Sequence, residues 1–288
     1  MIDKRSTRVL TKLHCKETFL NPSYYIAIVV SSLLGYLPIR AFLQAIGPQG
    51  FSPADSPLFA NITGALERLF SPVMVQKLFA EGPFLFALFW AFTPMLLYVL
   101  ISSIITFQQH KDQGVIELIR FGPSNSRSYI LSLFLKDLIV IYIYSIYVTL
   151  FFLAVSRFNN LLLGPAFIQA LFAFLLATLV LCAYAKLSMV ATDSSIGSIF
   201  LFLAILAVFL AAQLGTYSII LEQIRTIASL LSLVIQWISP FYYMTIIQTG
   251  FELASWLHIV GGILCFVVLT GIVGFISLWL ETRKERRL

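Results

Sequence analysis

Long apolar runs broken by short polar ones fill most of this chain, and the runs have the length of membrane spans. No Asp, Glu, Lys or Arg interrupts Thr18 to Ile39 or Gly82 to His110, and Phe158 to Ala185, Ser194 to Leu221 and Leu253 to Leu280 are each 28 residues without charge. Leu138 to Ser156, after the Lys136-Asp137 pair, adds a run of 19. A hydrocarbon core about 30 Å thick takes about 20 helical residues to cross. The pattern therefore predicts an all-α integral membrane protein with six transmembrane helices, residues 1–288 forming a single transmembrane domain.

A further charge-free run, Thr226 to Phe251, is apolar enough for a seventh span. Two features favour a different reading. Ser239-Pro240 breaks the run inside "IQWISPFYYM", and six spans with an inner N-terminus put 13 Lys/Arg on inner segments, Lys186 among them. Only 4 fall outside (Arg68, Lys77, Arg157, Arg225), which is the bias of cytoplasmic loops. A seventh crossing would carry the tail "RKERR" outside. The expectation is an outer re-entrant pair of short helices over residues 218–255, with a full span as the alternative. Trp256 and Trp279 stand about 34 Å apart along a helix and anchor the last span at both interfaces.

The N-terminal stretch "KRSTRVLTKLHCKETFL" sets Arg5, Arg8, Lys12 and Lys16 on one helical stripe beside Val9, Leu13 and Leu20. That pattern predicts an interfacial helix over 1–22 in the inner headgroup layer. Asn21-Pro22 ends it and turns the chain into the bilayer. The outer loop from Gly47 to Gly82 holds a second amphipathic stretch.

The polar segment between spans two and three, residues 107–127, is built differently. In "KDQGVIELIRFGPSNSRSYI", Val115, Leu118 and Ile119 recur at helical spacing, and Glu117 and Arg120 stand three apart and can pair. Gly122-Pro123 stops the helix, and Ser124, Asn125 and Ser126 are residues that cap the next. A short, stiff helix at the inner mouth of two spans can seat in a partner's groove and pass force into the membrane.

Composition narrows the function. The chain is 59% hydrophobic and 11% charged with a mean hydropathy of +0.93, which excludes a soluble domain. The net charge of +6 reads as a topology signal, so no nucleic-acid partner is expected. Cys15, Cys182 and Cys265 form no CxxC, and His14, His110 and His258 show no spacing to a nucleophile or metal ligand. No catalytic, cofactor-binding or metal-binding residue is expected, and the chain is not read as an enzyme. It lacks GxxxxGK[ST], the loop that cradles nucleotide phosphates. Ion-driven carriers need buried titratable groups, and the spans read as almost free of them: Lys136-Asp137 falls at an inner interface where Lys can snorkel. Arg40, Gln213, Glu222 and Arg225 are candidates for an outer gate or pathway.

The inner loop resembles that of the membrane subunits of type-2 ATP-binding-cassette transporters. Asp112, Gly114, Glu117-Leu118, Pro123, Ser126-Arg127 and Lys136 follow that family's order of charged pair, Gly, Glu-Leu, Pro, Ser-Arg and Lys. One extra residue separates Pro123 from Ser126-Arg127, and Leu135 stands where a small residue usually precedes Lys. The lead into span one, "KETFLNPSYYI", is similar to that of the branch linked to gliding motility and copper-enzyme maturation. The resemblance implies a non-catalytic permease subunit in an exporter of a bacterial inner membrane, both termini cytosolic. It implies a second permease subunit, as a homo- or heterodimer in the lipid bilayer, and a separate ABC ATPase subunit carrying the ATP and Mg. Asp112, Gly114, Val115 and Ile116, then Glu117, Leu118, Arg120, Pro123 and Arg127, would be its ATPase-coupling residues. The alternative is an ATP-independent channel, carrier or membrane scaffold.

Overall fold

The computed structural model describes residues 4–47, 50–51, 83–121, 125–213 and 234–285. Among them the chain is helical: α1 (Lys4–Leu20), α2 (Pro22–Ala45), α3 (Phe84–Asp112), α4 (Val115–Phe121), α5 (Ser126–Phe158), α6 (Pro165–Ala191), α7 (Ser195–Gln213), α8 (Pro240–Glu252) and α9 (Trp256–Glu285). A two-residue antiparallel pairing, Ile46–Gly47 with Gly50–Phe51, follows α2. Among the described residues six helices, α2, α3, α5, α6, α7 and α9, are long and apolar enough to cross a membrane. Apart from that pairing the described residues are helices and their turns, and the chain is a multi-pass integral membrane protein.

Two boundaries differ from the sequence pattern. Helix α2 continues through Pro38 and Arg40 to Ala45, because a proline inside a packed membrane helix leaves backbone groups that neighbouring structure can satisfy. Helix α5 begins at Ser126 and runs unbroken through Lys136 and Asp137. The charged pair lies ten residues inside a helix, not at its edge.

Met1–Asn21, Tyr98–Tyr142 and Ala173–Leu288 pack as one unit, and Pro22–Leu97 with Ile143–Phe172 as another. In the second unit α2, α3 and α5 meet at small residues: a Cβ on Gly35 would stand 2.7 Å from that of Ala91. Tyr144 donates to the Ala91 carbonyl at 3.0 Å, and the Ser32 and Tyr147 hydroxyls lie 3.1 Å apart. Such polar contacts between close backbones are what hold helices together where lipid removes the hydrophobic drive.

The first unit has its apolar core among α6, α7, α8 and α9, with Tyr184 edge-on to Phe209 and Tyr243 edge-on to Phe266. Gly250 and Gly262 let α8 and α9 approach, since a Cβ on Gly262 would meet the Ile247 side chain at 2.4 Å. Helix α8 has 13 residues and so is about 20 Å long, short of a bilayer core. A helical turn over residues 234–238 precedes it, Pro240 opens it after the break at Ser239, and residues 253–255 turn the chain into α9. The earlier part of the expected re-entrant segment, residues 214–233, lies outside the described residues, as do the loop over 52–82 and Gly122-Pro123-Ser124.

Candidate functional site

Several charged and polar side chains of the first unit lie where α3 ends and α5 begins, with α4 between them. Helix α3 closes with Gly114 in the left-handed region (φ +70), its N–H donating to the Lys111 carbonyl at 3.1 Å. Its own carbonyl then accepts from Leu118 at 3.1 Å, so α4 restarts with no spare residue. Nothing lies within 4 Å of a Cβ built on Gly114; backbone conformation, not space, demands glycine there. Ile116 is buried at 4% exposure and pins α4, whereas Leu118 stands 71% exposed. Asp112 is exposed, Val115 half-buried, and Asn125 offers its carbonyl to Ser128 and Tyr129 at the start of α5.

Further along α3, α5 and α6 lies a buried ion cluster. Lys186 of α6 donates to Asp137 Oδ2 and to Ser103 Oγ of α3, the latter at 2.7 Å. Lys136 Nζ sits 2.6 Å from Asp137 Oδ1, close enough for an ion pair though without hydrogen-bond geometry. All three are at or below 4% exposure. This overturns two expectations: Lys136 does not snorkel to an interface, and Lys186 is not an inner-loop cation. It also removes the argument that the spans lack buried titratable groups. Hydropathy averaged over a window hides charges that neutralise one another across helices, and opposite charges on two helices are tolerated in apolar surroundings because they pair.

Three further links join the helix ends. Gln108 of α3 is buried and its amide donates to the Met189 carbonyl (2.9 Å) and Ser198 Oγ (2.8 Å), tying the last turn of α6 to α7. Asp193, in the α6–α7 turn, accepts from Lys111 at 2.6 Å and Lys284 at 2.9 Å. Those two hydrogen bonds pull its carboxyl from the usual 3.8 down to about 2. Arg127 of α5 donates to Thr282 of α9 at 2.9 and 3.1 Å. The residues flanking α4 are thereby fastened to the end of the last helix.

Helix α1 packs here through Thr7, Thr11 and His14. Burial pushes the His14 imidazole below its usual 6.5, against the opposing pull of Glu17, whose carboxylate lies 3.1 Å from Nδ1. The spacing is that of an ordinary helical pair. His14 also stands edge-on to Tyr129, which shares a 2.5 Å hydrogen bond with His110. A polar cavity of about 80 Å³ separates α1 from this layer, lined in part by His14, Tyr98, Ser102, Thr106 and Lys136. It is roomy enough for water, which needs at least ~10–15 Å³.

Of the residues singled out from sequence, Asp112, Gly114, Val115, Ile116, Leu118 and Arg127 fall in this region. Glu117 and Arg120 lie on α4, their side chains outside the description, and Pro123 is outside the described residues. Arg40 is exposed on α2, and Gln213 ends α7. Glu222 and Arg225 lie outside the described residues. Gln108, Ser103, Lys186 and Asp193 were missed. Their signal, isolated polar residues whose partners lie on other helices, becomes legible only once the helices are packed. Among the described residues no three His, Cys, Asp or Glu gather as metal ligands. No protein-family model, no curated protein and no solved structure matches the chain.

Proposed function

We propose that this chain is the membrane subunit of an ABC transporter, moving substrate outward with energy from ATP hydrolysed on a separate subunit, and that α4 is the element on which that subunit docks. The observation that carries the reading is the build of α4 itself: one short helix between two apolar helices, fixed by Gly114 and Ile116, presenting Leu118 at 71% exposure. A leucine held out on a rigid mount fits an apolar groove on a partner. The links from Lys111 and Arg127 to α9 support it further, since a push on α4 would reach the last helix as well as its neighbours. In this reading a second permease subunit completes the pathway, α1 lies in the inner headgroup layer, and the segment around α8 dips in from outside. Both termini face the cytosol of a bacterial cell, and the partner holds ATP and Mg.

Leu118→Asp should abolish capture of the ATPase and its stimulated hydrolysis while the membrane part keeps its thermal stability. Unchanged capture and hydrolysis would defeat the docking role.

A second reading, an ion-coupled carrier without an ATPase, draws on the buried Lys136–Asp137–Lys186 cluster, because intramembrane ionisable groups often bind the driving ion. Transport by the isolated chain in vesicles under a proton gradient, lost in Asp137→Asn, would favour it.

A further inference from the structure

Along α1, Lys4, Arg8 and Lys12 recur every four residues and are exposed, while Thr7 and Thr11 beside them are buried. Facing them on α5, Leu131, Leu135 and Ile139 recur at the same interval. An open groove of about 650 Å³ runs between the two stripes, with Cys15 at one end. Each stripe extends about 12 Å along its helix. One wall is cationic and the other aliphatic, with Leu135 and Ile139 at 37% and 41% exposure.

That pairing selects its occupant. An acidic peptide would satisfy the cations but lay its polar backbone against leucine and isoleucine, at the cost of unmade hydrogen bonds. An apolar helix would cover the aliphatic wall and strand three cations against itself. An amphiphile with an anionic head and a hydrocarbon tail satisfies both walls at once. Glu17, the acid of α1, is engaged by His14, so it does not compete for the three cations. Helix α5 is one of the apolar membrane-length helices, so its flank is where lipid tails lie.

We infer that this groove is a binding site for one anionic phospholipid, its phosphate held by Lys4, Arg8 and Lys12 and an acyl chain laid on Leu131, Leu135 and Ile139. The site lies apart from α4, and its test needs no ATPase, so it stands independently of the transport reading. Headgroup charge gives the discrimination, and the aliphatic wall gives the residence.

The test uses the full chain purified in neutral detergent and exposed to micelles carrying phosphatidylglycerol or phosphatidylcholine with identical acyl chains. Retained lipid is counted by native mass spectrometry. Phosphatidylglycerol should be retained and phosphatidylcholine released. Each Lys or Arg near an anionic lipid surface contributes about fivefold, so Lys4→Gln, Arg8→Gln and Lys12→Gln together should lower retention on the order of 100-fold. Leu135→Trp, which fills the groove and leaves the cations in place, should also lower it. Arg40→Gln, Arg157→Gln and Arg283→Gln, an equal loss of charge elsewhere, should not. Equal retention of the two lipids, or equal behaviour of the two triple variants, overturns the assignment. So does a lipid-independent dimer that Leu135→Trp dissolves, which would give the groove to a second copy of the chain.

Discussion

Lys186 of α6 and Asp137 of α5 form an ion pair with side chains no more than 3% exposed, and Lys136 shares the same carboxylate. Two cations on one anion make the roles unequal. Asp137→Asn leaves two buried ammonium groups with no acid and should destabilise the protein by about 3–5 kcal/mol. Lys186→Met leaves a balanced Lys136–Asp137 pair and should cost clearly less. Thermal unfolding of both variants in detergent gives the order, and an equal or larger loss from Lys186→Met would refute this charge count.

Gly114 adopts φ +70 in open space. Gly114→Ala should therefore cost about 1–2 kcal/mol of backbone strain, with no clash to relieve, and Gly114→Asn should cost less because asparagine tolerates the left-handed region. If alanine and asparagine are equally harmful in unfolding measurements, the hinge is held by something other than its backbone.

Asp193 is held at a pKa of about 2 by Lys111 and Lys284, below its usual 3.8. A depressed carboxylate contributes stability above pH 3.8 that fades as pH falls from there toward 2. The group is mostly exposed, so Asp193→Asn should cost under about 1 kcal/mol near neutral pH and nothing in high salt. A stability difference that persists undiminished in high salt would contradict this.

His14 has a lowered pKa because burial disfavours its charged form. Its neutral form is the folded one, so the seat of α1 should hold above pH 6.5 and loosen as pH falls below it, where the unfolded helix takes up the proton first. Glu17, His110 and Lys136 also act on the ring, and the net direction remains downward. Trypsin cleavage at Lys12 and Lys16 should rise as pH drops from 7.5 to 5.5, after correction for protease activity, and His14→Gln should flatten the response. A wild-type profile as flat as that of the variant would rule out His14 as the titrating group.

The six membrane-length helices are readable in the sequence because charge-free runs of the right length have few other uses. The short helix after Gly114 is readable too, from Val115, Leu118 and Ile119 at helical spacing, whereas the left-handed turn at Gly114 itself is not. The ion cluster is not: Ser103, Asp137 and Lys186 lie far apart in the chain, Asp137 and Lys186 each read alone as an inner-end charge free to reach water, and Ser103 reads as one small residue within an apolar run. Packing three helices together turns them inward. Gln108 carries even less signal, since its meaning depends on which carbonyls α6 leaves unpaired at its end.

The most direct test of the transport reading is purification of the tagged chain from its native membrane, with the co-purifying proteins identified and ATP hydrolysis measured. A nucleotide-hydrolysing subunit should come with the wild-type chain and be absent from the Leu118→Asp preparation. A wild-type chain that arrives without such a subunit, and moves solute in vesicles without ATP, would contradict it.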